Sequence, residues 1–198
     1  MQLRPANRRR LIAVRGVEWI ALLIAGFGIL MHEAYQPVRS TGPAATFPAN
    51  PAVALDPQQP TLVLFAHPQC PCTTATLDNL DQLRTQANDG LAVTVVFTLP
   101  PGVPPGWEKG KLLRMAERMR GIRIVVDRGG SIARAFGVIG SGHVLVYART
   151  GRLLFSGGIT PARGHEGDNA GSDAIVELTK GHVPPNVIHE PVFGCTLL

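Results

Sequence analysis

The stretch Thr61-Leu62-Val63-Leu64-Phe65-Ala66-His67-Pro68-Gln69-Cys70-Pro71-Cys72 decides how the chain folds. Its first half is a short continuous apolar run with β-branched members, as a central strand buried on both faces requires. Beyond it, Leu77, Leu80, Leu83 and Ala87 recur at helical spacing, with Asp78 early and Gly90 at the end, so a helix follows. Cys70 and Cys72 therefore stand at a strand-to-helix turn. Backbone N–H groups at a helix start favour negative charge, and the thiolate is the form of cysteine that attacks disulfides and binds metals. Pro71 suits the first helical position, which places Cys70 at the cap. With one residue between them the two cysteines close only a cramped, easily reduced disulfide, so the pair is expected to be an oxidising centre and not a structural clasp.

The same alternation continues downstream. Leu91 to Leu99 reads as a second strand, and the Pro/Gly-rich stretch from Pro100 to Gly106 as a loop. Leu112, Met115, Ala116 and Met119 make Lys111 to Arg120 an amphipathic helix whose methionines fill core. Ile122 to Val126 is a third strand, and Ser131 is placed to cap a brief helix ending at Phe136. Val144 to Tyr147 and Leu153 to Phe155 read as a hairpin joined by Arg149-Thr150-Gly151, and a last helix spans Ser172 to Lys180. Strand-helix alternation followed by a hairpin predicts an α/β domain with a mixed sheet and helices on both faces.

Ahead of this domain, Arg4, Arg8, Arg9, Arg10 and Arg15 precede any acidic residue. They account for the whole formal charge of +5, since the remaining 14 basic side chains balance the 14 acidic ones, and nothing argues for a nucleic-acid partner. An apolar run from Trp19 to Met31 follows, and Gly16 to Tyr35 supplies about the 20 residues a bilayer needs. Trp19 and Tyr35 fall at interfacial positions, and His32, Glu33 and Arg39 do not make a small-residue cleavage site. The reading favours an uncleaved single-pass anchor over a cleaved signal peptide. The charge asymmetry puts residues 1–15 in the cytoplasm and the domain outside the bacterial cytoplasmic membrane, in the periplasm or extracytoplasmic space. Pro37, Pro43, Pro48, Pro51, Pro57 and Pro60 mark 36–59 as an extended tether. The domain is expected over 60–181, with 182–198 as a C-terminal tail carrying Cys195.

The runs Asp127 to Val138 and His143 to Leu153 resemble the second half of a thioredoxin-like domain of the TlpA or peroxiredoxin sort, and Phe65 to Cys72 resembles its cysteine turn. More narrowly, that turn, Ser156-Gly157-Gly158-Ile159-Thr160 and Gly194-Cys195 resemble membrane-anchored bacterial proteins of the RedB type. The resemblance implies a thioredoxin-like three-layer sandwich preceded by one hydrophobic helix. It also implies redox work on protein thiols or disulfides, with Cys70 attacking and Cys72 resolving, and no cofactor. Three departures stand out: one residue between the cysteines where the family has two, Gly142 where it has a cis-proline, and no carboxylate on the strand that leads to the turn.

The missing carboxylate leaves proton transfer or thiol tuning to His143 or His67. In the implied fold the loop before the hairpin lies against the cysteine turn, which brings His143 toward Cys70 and Cys72. A neutral imidazole beside two thiolates also makes a site for copper or zinc, so delivery of such a metal by Cys70, Cys72 and His143, with Cys195 as a further ligand, is the alternative function. Cys195, in the apolar segment Pro191 to Cys195, is either a resolving thiol or a small buried hydrophobe. The stretch 157–169 is long for a connection, and His165, Glu166 and Asp168 in it are candidates for contact with a partner or a metal.

Overall fold

The computed structural model of the chain describes residues 5–38, 42–50, 52–88 and 90–198, with side chains from Val14 onward. Arg4, Arg39 and Pro51 lie outside the described residues, as do the side chains of Arg8, Arg9 and Arg10. Helix α1, Pro5–Ala34, belongs to a unit ending at Gln36, and residues from Pro37 form a second unit. Within α1, Val14–Ala34 is long and apolar enough to cross a membrane by length and composition. Trp19, Ile20, Leu22, Leu23, Phe27 and Leu30 all point outward from it, so its apolar surface is satisfied by nothing inside its own unit.

The second unit runs β1 (Thr61–Ala66), α2 (Thr73–Gln86), β2 (Ala92–Leu99), α3 (Lys111–Arg118), β3 (Ile122–Arg128), α4 (Ser131–Phe136), β4 (His143–Tyr147), β5 (Leu153–Gly157), α5 (Ala170–Thr179) and β6 (Ile188–His189). One sheet has the order β3-β2-β1-β4-β5-β6. β1, β2 and β3 are parallel, β4 runs antiparallel to both β1 and β5, and β6 is parallel to β5. Parallel neighbours joined through helices, then an antiparallel hairpin, give the thioredoxin-like mixed sheet that the sequence implied.

β1 lies at the centre and divides the core. Leu62, Leu64 and Ala66 face Leu77, Leu80 and Leu83 of α2 and Ile175 of α5, whereas Val63 and Phe65 face Phe136 of α4, Leu145 and Tyr147. All six residues of β1 are buried, which is why its sequence is a continuous apolar run and not an alternating one. The short helix α4 is capped by a different residue from the one expected. Gly130 occupies the cap position, and buried Asp127 accepts the N–H groups of Ile132 at 3.0 Å and Ala133 at 2.9 Å in place of Ser131.

The segment read as a tether, 36–59, is in its described part folded against the second unit. Phe47 N–H donates to Gly151 O at 2.8 Å, Leu153 N–H to Ala45 O at 2.9 Å, and the Tyr147 hydroxyl to Ala44 O at 3.0 Å. The Phe47 ring meets Phe136 and Tyr147 edge-on, with centroids 5.3 and 5.1 Å away, and Val53 is buried. Proline density favours extended backbone whether that backbone is free or packed; the apolar residues between the prolines decide the matter here. The tail 182–198 also joins the domain, adding β6 at the sheet edge.

If 42–55 is part of the fold, Phe47→Ala should destabilise the domain by about 2 kcal/mol, the cost of a partly buried ring and its two aromatic contacts. Urea unfolding of the full chain, followed by near-ultraviolet circular dichroism, reads this. A free tether would leave the unfolding midpoint where it is.

Candidate active site

The turn between β1 and α2 is tighter than the sequence implied. α2 begins at Thr73, Cys72 holds the cap position with helical angles of −64° and −27°, and no side chain caps it. Thr73 N–H donates to Cys70 O at 3.1 Å and Thr74 N–H to Pro71 O at 3.2 Å, so Cys70-Pro71-Cys72 forms a 3₁₀-like turn leading into the helix. The Cys70 N–H in turn donates to His67 O at 3.0 Å.

A chain of hydrogen bonds supports the Cys70 sulfur from behind. His67 N–H donates to Ser141 Oγ at 2.8 Å, and Ser141 Oγ lies 2.7 Å from Thr73 Oγ1. Each hydroxyl has one proton; if Ser141 gives its own to Thr73, Thr73 can give its own to Cys70, and every member donates once. Burial pushes the Cys70 thiol up, but hydrogen bonds from the side chains and backbone of Thr73 and Cys195 outweigh it and bring the group down to about 7. Cys70 is therefore the sulfur on which negative charge settles.

Cys195 comes to this point from the far end of the chain. Its sulfur lies 3.0 Å from that of Cys70 across a sequence separation of 125 residues. The approach is built by backbone pairing: Ser141 N–H donates to Cys195 O at 2.8 Å, Gly140 bridges antiparallel to Thr196, and Leu197 N–H donates to Ile139 O at 2.9 Å. Leu197 is buried in the core beside α4. At residue 194 only glycine fits, since a Cβ there would collide with the Ser141 carbonyl oxygen. Burial first, then the neighbouring Cys70, push the Cys195 thiol up to about 12.

Cys72 is partly exposed, as is Cys195, whereas Cys70 is only 1% exposed. Burial and the charge of Cys70 raise the Cys72 thiol, and the Arg163 guanidinium opposes them. Arg163 also donates to Gly194 O, so one side chain both favours charge on Cys72 and holds the segment carrying Cys195. The loop bearing Arg163 is fixed by buried Asn79 of α2, which donates to Ile159 O at 2.7 Å and accepts from Gly167 N–H at 3.0 Å. Arg163, Ser141 and Thr73 are the site residues that sequence reasoning missed. The unusual length of 157–169 was the one available signal, and it drew attention to His165, Glu166 and Asp168, which stand exposed at the surface.

The two histidines lie elsewhere. His143 pairs with Phe65 across β1 and β4, so it shares the face of the sheet that looks toward α4. Its Nε2 hydrogen-bonds with Ser156 Oγ at 2.8 Å, and burial, then His189, pull it down to about 4. The loop before β4 does meet the cysteine turn, but it presents Ser141. Gly142, with φ of +87°, then turns the chain before His143, and the same angle excludes the proline expected there. The His143 ring thus bonds to Ser156, with His189 as its charged neighbour, and among the described residues the copper or zinc donor set built on it is not assembled. Among the described residues no three His, Cys, Asp or Glu side chains are placed to hold a metal ion. His67 is nearer, but its ring packs edge-on against Trp107 with centroids 5.4 Å apart, its Nδ1 accepts from Gln69 N–H at 3.3 Å, and burial lowers its pKa.

No protein-family model matches the chain, and no curated protein matches it. Among solved structures, it is similar to a hypothetical protein from Sinorhizobium meliloti, with a TM-score of 0.58 and 21% identity over 82% of this chain and 95% of that one. It is similar also to an uncharacterized conserved protein from Geobacillus kaustophilus, with a TM-score of 0.59 and 15% identity over 82% of this chain and 92% of that one. A thioredoxin-like protein from Aeropyrum pernix aligns with a TM-score of 0.47 and 14% identity over 80% and 97%. At these identities the likeness is one of fold, and it is the strand order and helix placement of the chain itself that make the sheet thioredoxin-like.

Proposed function

We propose that the protein is a membrane-anchored thiol–disulfide oxidoreductase of the RedB type, working outside the cytoplasm through Cys70 and Cys72. The observation that carries this reading is the Cys70 sulfur, held by hydrogen bonds at a pKa of about 7 between two further thiols. A structural cysteine has no use for such support; a thiol that must carry charge at neutral pH does. Exposure supports the reverse of the order of roles expected from sequence. Cys72 meets the incoming disulfide, and the buried Cys70 thiolate takes its proton and later attacks it. Arg163 stabilises the charge as it passes to Cys72. In balance, Cys72 thiolate attacks one sulfur of a partner disulfide and one partner thiolate leaves, taking the proton held by Cys70; Cys70, again a thiolate, then attacks Cys72 and the second partner thiolate leaves. The partner disulfide gains two electrons and the protein is left oxidised.

Four measurements test this reading. A Cys70→Ser, Cys195→Ser protein mixed with oxidised glutathione should accumulate a mixed disulfide at Cys72, read by mass spectrometry, because no second thiol of the site remains to release it. Adduct formation at Cys70 in Cys72→Ser at the wild-type rate would return the attacking role to Cys70, and absence of adducts on either protein would sink the reaction class. The pH dependence follows from the lowered pKa: thiolate is present above about 7 and lost below it, so exchange should rise through that midpoint. In Thr73→Val one supporting bond is gone, and the first midpoint of ultraviolet thiolate absorbance should move up toward the ordinary cysteine range; an unmoved midpoint removes Thr73 from the mechanism. For the anchor, alkaline carbonate washing should leave full-length protein in the membrane pellet, with the domain digested by protease added from the extracytoplasmic side. A shortened soluble product lacking residues 1–35 would identify a cleaved signal peptide.

A further inference from the structure

The geometry points to Cys70–Cys195, and not Cys70–Cys72, as the disulfide in which the oxidised protein comes to rest, with the C-terminal strand covalently tied across the site and Cys72 returned to a free thiol. The inference rests on the exchange chemistry proposed above and names where its electrons are drawn from.

Two observations favour the distant partner over the near one. Cys70 and Cys72 interact through their side chains, but with one residue between them a disulfide closes a cramped ring, and forming it strains the turn that bonds Thr73 and Thr74 to the backbone of Cys70 and Pro71. Cys195 makes no such demand. Its sulfur already lies 3.0 Å from Cys70, delivered by a backbone paired to Ile139, Gly140 and Ser141 and held by Leu197 in the core and Arg163 on Gly194 O. Closing a loop across a sequence separation of 125 is normally costly in chain entropy, but the fold has met that cost before the bond forms.

The route is one further exchange. When Cys70 has attacked Cys72, the pair is briefly a disulfide; the Cys195 sulfur attacks Cys70, the bond to Cys72 breaks, and the proton given up by Cys195 goes to the departing Cys72 thiolate. No outside reagent enters this step. With oxidised glutathione as the oxidant, the sum is two glutathione thiols formed and the thiols of Cys70 and Cys195 joined. Once Cys70 is in a disulfide its negative charge is gone, so part of what holds the Cys195 thiol protonated disappears at the moment Cys195 must ionise.

Peptide mapping of the full-length protein in detergent tests this. After treatment with oxidised glutathione and alkylation of remaining thiols, Cys70 and Cys195 should be found cross-linked in most molecules and Cys72 alkylated. A predominant Cys70–Cys72 bond with alkylated Cys195, or glutathione retained on Cys72, overturns the inference while leaving the exchange reaction standing; a protein with all thiols alkylated overturns the exchange reaction itself. Gly194→Ala supplies the second arm: its Cβ displaces the strand from Ser141, so pairing should shift from Cys195 to Cys72. Undiminished Cys70–Cys195 bonding in a folded Gly194→Ala protein would show that strand pairing is not what delivers Cys195, and would equally overturn the inference.

Discussion

Ser141 is the point on which the site depends. Its hydroxyl accepts from the backbone of His67 and bonds to Thr73, its N–H donates to Cys195 O, and it is fully buried. Three stretches remote in sequence meet there: the end of β1 with the cysteine turn, the approach to β4, and the C-terminal strand. A buried hydroxyl costs free energy unless its bonds are made, so the network is stable only when all three stretches are in place. The same requirement couples the position of Cys195 to the charge on Cys70, since Thr73 and Cys195 are the two residues that hold the thiolate.

Much of the rest can be understood as what allows a chain terminus to reach that point. β6 lies parallel to β5, and Glu190 N–H donates to Ser156 O while Gly158 N–H donates to Pro191 O, steering the backbone along the sheet end. The Ser156 to Thr160 run and the Gly194-Cys195 tail, which carried the narrower resemblance, are therefore two sides of one construction. Their appearance in one sequence has a physical reason: the first forms the track along which the second is delivered.

The sheet and its helices were legible because their signals are local. Continuous apolar runs marked β1 and β2, and helical spacing marked α2 and α3, with ends displaced by a residue or two. The cysteine turn was legible for the same reason. What failed was anything that depends on which way a side chain points after an irregular residue. His143 was expected at the turn because its loop goes there, but the positive φ of Gly142 hands that place to Ser141. The segment 42–55 was read from its prolines, whereas Phe47 and Val53 determine its fate. Arg163 was illegible because its role exists only through Asn79, on another helix, which fixes the loop around it.

The three sulfurs are best regarded as sharing one negative charge at neutral pH. Cys70 is brought down by four hydrogen bonds; burial first, and then the neighbouring Cys70, raise both Cys72 and Cys195, so the second and third protons are bound more tightly than the first. This ordering resolves an apparent conflict between reactivity and access. The sulfur best able to hold charge is buried, while the partly exposed Cys72 is the one an incoming disulfide can meet. An ordinary exposed thiolate at the same turn would react with any disulfide that reached it. In the proposed exchange, dividing charge storage from access makes reaction conditional on contact at Cys72.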